Sequence, residues 1–147
     1  MLIRPGHHRR MRKRIFDNAY DTRATHPGQA AGVAAHQVIM ISIIIPVLNE
    51  ERALPATLAQ VFAQTGDYEV IVVDGGSTDG TPDALSPDVT LLHSPRGRAT
   101  QLNRGAAAAR GNILVFCHAD SQLPAEWRGA VIEALQRPSV TGGTFQT

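Results

Sequence analysis

The sequence predicts an α/β fold built on a mostly parallel sheet with helices on both faces. Two observations carry that prediction. Four short runs, "ISIIIP" (41–46), "YEVIVVD" (68–74), "VTLLHS" (89–94) and "NILVFC" (112–117), are nearly continuous in apolar and β-branched residues. Helical spacing separates most of them. Strands apolar on both sides belong to parallel sheets covered by helices, and their crossovers are expected to be right-handed.

After the first run, Leu54, Leu58, Val61 and Phe62 recur at helical spacing. Asn49 is expected to cap this helix, with Glu50 and Glu51 favouring its positive end. Pro55 falls early enough to be tolerated in a first turn. Residues 81–85 support at most a short helix. Residues 99–109 form an alanine-rich helical segment, closed by Gly111. Pro124 is expected to open a last helix that places Trp127, Val131, Ile132 and Leu135 on one side.

Two stretches of unlike charge make up the 147 residues. Residues 1–40 hold seven basic and two acidic residues, whereas 41–147 hold seven basic and eleven acidic. The first part lacks apolar periodicity, and its "HHRRMRKR" and "ATHPGQAAGVAAHQ" suit a disordered basic extension over residues 1–39. Met40 stands directly before the ordered pattern, so 1–39 reads as upstream sequence and 40–147 as the functional domain. A nucleic-acid partner would rest on this arm alone and is not expected. A single cysteine, Cys117, excludes an internal disulfide framework. No apolar run approaches the roughly 20 residues that span a bilayer. A cytoplasmic location, or one peripheral at a membrane surface, is expected.

Each apolar run ends in polar residues: "PVLNE", "DGGSTDG", "HSPRGR" and "HADS". Ligands of open α/β sheets bind at the carboxyl ends of the strands, so four such ends on one edge point to a ligand site. Glu50, Asp74, Asp79 and Asp120 would face Arg96, Arg98 and Arg104 there. That mixture suits a ligand with hydroxyls, ring N–H groups and phosphates. Asp120, a hard oxygen donor, suits Mg2+ or Mn2+. "GGSTDG" follows the second strand and lacks G-x-G-x-x-G spacing, which argues against a dinucleotide dehydrogenase; a P-loop motif is absent.

"IIIPVLNEE", "VIVVDGGSTDGT", "GRATQLNRGAAAARGNILVFCHADS" and "GGTF" together resemble the N-terminal part of a family 2 glycosyltransferase with the Rossmann-like GT-A fold. The third motif is most similar to the radical-SAM/selenodomain-associated transferase 2 subgroup. The resemblance implies an inverting transfer of a sugar from a UDP- or GDP-type donor to an unknown acceptor. It implies that Pro46 and Val47 lie against the base, Glu50 holds the nucleoside and Asp74 the base. It also implies that Arg98 and Asn103 lie near the nucleotide sugar or its diphosphate, and that Asp120 binds a divalent metal. His118 stands where the family often has a first Asp, which leaves one sure carboxylate.

The family's general base lies beyond the "GG.F" strand, where this sequence ends. Glu126 and Glu133 are the carboxylates after Asp120, and neither persuades as a base. The expectation is therefore a C-terminally truncated donor half of impaired activity, with apolar surface on its last strand and helix that promotes self-association. A non-catalytic nucleotide-sugar-binding module is the alternative. A sugar-phosphate nucleotidyltransferase is a weaker one, because "PVLNEERALP" is acidic where that class carries a Gly-rich basic loop.

Overall fold

The computed structural model describes residues 2–3, 39–137 and 140–145. The basic extension expected over 1–39 therefore lies largely outside the described residues. Its Leu2–Ile3, however, form strand β1. The other strands are β2 (Ile41–Val47), β3 (Tyr68–Asp74), β4 (Val89–His93), β5 (Ile113–Phe116) and β6 (Gly142–Gly143). The helices among the described residues are α1 (Leu54–Phe62), α2 (Arg98–Ala108) and α3 (Trp127–Gln136), with a 3-10 turn at Pro82–Ala84.

Among the described residues the strands form one sheet in the order β4-β3-β2-β5-β1-β6. The first four are parallel, with Val47 opposite Asp74, Asp74 opposite His93, and Ile44 opposite Phe116. β1 pairs antiparallel with both β5 and β6. The sheet is thus mostly parallel, as expected, with an antiparallel margin that the sequence did not announce.

Alternation along β2 divides the core. Ile41, Ile43, Ile45 and Val47 join Leu54, Leu58 and Val61 of α1 and Trp127, Val131 and Leu135 of α3. Ile44 joins Ile71 and Val73 on the opposite face, under Leu102 and Ala106 of α2. Each fully buried aliphatic side chain contributes roughly 1.5–3 kcal/mol relative to exposure. α2 lies close to its face because Gly105 carries no Cβ; one placed there would overlap Ile44 Cγ2. Trp127 is buried and meets Tyr68 edge-on, with ring centroids 5.7 Å apart. Cys117 is likewise buried, and that burial pushes its thiol pKa up.

Four local expectations are corrected. Asn49 does not cap α1: the N-cap is Ala53, without a side-chain cap, and Glu50 and Glu51 precede the first turn. The helix starts late because residues 51–53 form a turn, in which the Ala53 and Leu54 amides donate to Glu50 O. Pro124 opens a turn in which Trp127 N donates to Pro124 O, and α3 begins at Trp127. The apolar side of α3 is not left bare, since Trp127, Val131 and Leu135 are each at most 1% exposed. Among the described residues Phe62 is the exposed large hydrophobic.

At the amino ends of the strands, a polar knot replaces apolar packing. Ser42 Oγ donates to Glu69 at 2.6 Å and accepts from Gly111 N at 2.8 Å. Glu69 also accepts from Arg110 N at 2.6 Å and from Arg110 Nε at 2.9 Å. Burial pushes the Glu69 carboxyl up, but these hydrogen bonds and the Arg110 charge outweigh it, so its pKa lies below the ordinary 4.5. A depressed carboxylate adds stability that is present above its unfolded pKa and lost as pH falls through the folded one. The Glu69→Gln variant should therefore melt lower than the parent at pH 7, and the gap should close as melts are repeated below pH 4.5. A gap that stays constant with pH would contradict this role.

Candidate functional site

Parallel, in-phase strands deliver their carboxyl ends to one side of the sheet. There a cavity of about 290 Å3 opens. β2 and the residues after it supply Pro46, Val47, Leu48 and Glu50 to its wall. Arg96 and Gly97 before α2, and Arg98 and Gln101 within it, supply a second side. His118, Ala119 and Asp120 after β5 close the third. Glu50 is half-buried, while Arg96, Arg98, His118 and Asp120 are exposed. Two carboxylates and two guanidiniums thus share a small volume without a direct ion pair among the described residues.

Of the residues that the sequence singled out, Pro46, Val47, Glu50, Arg98 and Asp120 come together on this wall. Asp74 and Asn103 are not on it. The Asp74 side chain is 4% exposed and lies 3.5 Å from His93 Nδ1. Its oxygens accept from Ser77 N at 3.0 Å and Ser77 Oγ at 2.6 Å. Burial raises its pKa, but the bonds from Ser77, Gly76 N and His93 prevail and lower it. In this structure Asp74 therefore shapes the turn after β3. Asn103 lies on an exposed part of α2.

The loops after β2 and β3 are laced together. Asn49 takes φ of 57°, a left-handed conformation that Asn tolerates better than most residues. In that pose its amide donates to Ser77 Oγ at 2.9 Å, and its Oδ1 accepts from Thr78 N at 2.8 Å. Glu50 N donates to Thr81 Oγ1 at 2.8 Å, and Gly80 N to Glu51 Oε2 at 2.9 Å. Asp79 ties the set: Oδ2 accepts from Glu51 N at 3.2 Å, and Oδ1 accepts from Thr81 N at 3.0 Å and from Thr81 Oγ1. Glu50 is thereby held by its backbone, leaving its side chain on the cavity wall.

Gln101 escaped sequence reasoning. It is 5% exposed, and its Nε2 donates to Val47 O and Val73 O at 2.8 Å each. A signal was available: Gln101 stands four residues before Gly105, on the helix side that the alanines mark as facing the sheet. Arg104 is exposed, and Arg110 pairs with Glu69 rather than with the site.

For a metal, the described residues offer no group of three His, Cys, Asp or Glu side chains placed to hold an ion. Asp120 and His118 both line the cavity wall. They suit an ion that takes most of its oxygens from a ligand.

Comparison with known proteins places these features in context. Residues 42–146 match the model of the Glycosyl transferase family 2. A PGL/p-HBAD biosynthesis glycosyltransferase of Mycobacterium bovis is 42% identical over 93 residues, covering 57% of this chain and 36% of the relative. The mannosyltransferase PcManGT from Pyrobaculum calidifontis, solved in complex with GDP-Man and Mn2+, superposes with a TM-score of 0.61 at 32% identity. That match covers 68% of this chain and 33% of the other. Glucosyl-3-phosphoglycerate synthase from Mycobacterium tuberculosis, in complex with Mn2+, UDP and glucosyl-3-phosphoglycerate, gives 0.59 at 25% identity. There the coverage is 69% and 41%. The chain thus spans little more than a third of the curated relative's length.

The lacing of the two loops predicts that Asp79→Ala will loosen residues 75–81 while Asp79→Asn, which keeps an acceptor oxygen, will loosen them less. Limited proteolysis should nick the alanine variant in that loop several-fold faster than the parent. Equal cleavage rates for parent and alanine variant would show that Asp79 does not hold the loops.

Proposed function

Because the chain belongs to glycosyl transferase family 2, we propose that its cavity binds the donor of a hexosyl transfer, a UDP- or GDP-type nucleotide-diphosphate sugar. The observation that carries this reading is the meeting of Glu50, Arg98 and Asp120 on one wall. The main chain at Pro46 and Val47 lies against the base. The Glu50 carboxylate accepts from ribose hydroxyls, and Arg96 and Arg98 meet the phosphates. Asp74 acts indirectly, by shaping the loop that holds Glu50. Mn2+ accompanies the ligands of both solved neighbours. Asp120, with His118 beside it, would hold a divalent ion here, and that ion would supply positive charge to the diphosphate.

Inverting transfer forms a bond from an acceptor oxygen to the anomeric carbon and breaks the bond from that carbon to phosphate. The nucleoside diphosphate departs with the electron pair, and the acceptor proton goes to a base. Arg96 and Arg98 stabilise the departing charge. Among the described residues, Glu126 and Glu133 are exposed and neither is on the cavity wall. No residue here is assigned as the base. The alternative reading is a nucleotide-sugar-binding module without turnover. No helix among the described residues is long and apolar enough to cross a membrane; the reading places the protein in the cytoplasm or at a membrane face.

Calorimetry of the chain with UDP and GDP, with and without Mn2+, tests the proposal. Binding that strengthens with metal, and that Asp120→Ala weakens by about tenfold or more (roughly 1.4 kcal/mol), is expected, together with little or no sugar transfer. Binding of neither nucleotide would overturn the donor site. Robust turnover by the chain alone would overturn the binding-module reading.

A further inference from the structure

We propose that Gln101 is a positioning residue: its carboxamide clamps the ends of β2 and β3 and so sets the spacing of the two loops beside the donor cavity. Its consequence for ligand binding rests on the donor-site reading; the clamp itself rests on geometry alone.

Gln101 sits in the first turns of α2, with its amide donating to Gly97 O at 2.9 Å. Its side chain runs inward to the sheet. Nε2 has two hydrogens, and each finds a carbonyl at 2.8 Å: Val47 O on β2 and Val73 O on β3. These strands are neighbours, with Pro46 opposite Val73 and Val47 opposite Asp74. Val47 O also accepts from Gly75 N at 3.0 Å. One side chain thus straddles the last rung of the β2–β3 ladder, just before the chains separate into 48–51 and 75–81. The Gln101 amide ties the helix to both strand ends.

Gly75 is the matching half of this device. A Cβ at that position would stand 3.1 Å from the Gln101 carboxamide carbon and from Nε2, closer than such contacts normally lie. Bare backbone at 75 leaves room for the amide to lie over the strand end. The residue type at 101 follows from the same geometry. Glu would lose both donors and set a charge against two carbonyls. Asn is one methylene shorter, and Met fills the space without donating. Packing of α2 on the sheet does not need this polar group, since Leu102, Gly105 and Ala106 supply the contact.

Amide hydrogen exchange on the full chain tests the clamp without any ligand. Gln101→Met should speed exchange at Gly75, Ser77, Thr78 and Glu50 by about tenfold or more, with little change at Ile43 or Val115. Gly75→Ala pushes on the same contact from the other side and should loosen the same loops. Val131→Ala, on the opposite face, serves as a stability control and should leave them unchanged. UDP and GDP titrations with Mn2+ should then show weaker binding, by about tenfold, in the Gln101 variant but not in the Val131 variant. The clamp is overturned if neither Gln101→Met nor Gly75→Ala loosens the loops, or if Val131→Ala loosens them equally. A parent chain that binds neither nucleotide would end the donor-site reading, while the exchange rates would still decide the clamp.

Discussion

The in-phase parallel pairing of β2 with β3 and β5 is the constraint on which the remaining structure depends. It places Val47 level with Asp74, and Asp74 level with His93. Whatever follows these residues must emerge on one rim. The pairing is stable because both faces are covered: α1 and α3 bury Ile41, Ile43, Ile45 and Val47, and α2 buries Ile44, Ile71 and Val73. A one-residue slip of β2 would exchange these sets and bring Ser42 and its Glu69 contact to the wrong face. Core and site are therefore specified by the same register.

The acids on that rim divide by the partners of their carboxylates. Asp74 and Asp79 spend their oxygens on backbone amides and hydroxyls of their own loop and of the loop after β2. Glu50 and Asp120 line the cavity together with Arg96 and Arg98. Asp79 ties the two loops together, and in the proposed reading Glu50 and Asp120 are the acids left to meet a ligand.

Much of this was legible in the residues. The four apolar runs marked β2 to β5, and their polar tails marked the rim, because both follow from local composition and period. That Glu50, Arg98 and Asp120 share one wall followed from their places at strand ends, whereas Pro46 and Val47 were pointed to by the family resemblance. What could not be read was tertiary. Asp74 stands out in sequence as an acid at a strand end, but its bonds from Ser77 three residues on were not legible there. Asn49 has the composition of a helix cap, but bonds across to Thr78 instead. Gln101 reads as one polar residue in an alanine-rich helix until the strand carbonyls beneath it are seen. The antiparallel β1 draws its residues from a segment whose composition suggested no structure, since strand partners 111–113 and 139–141 residues away leave no local signal.

Paramagnetic broadening of backbone amide signals by Mn2+ together with UDP or GDP tests the shared rim most directly. The account predicts that amides of Leu48, Glu50, Gly97, Arg98, Ala119 and Asp120 broaden together, with those of α3 and the amino ends of the strands spared. Broadening confined to one of these three segments, or centred elsewhere on the chain, would contradict it.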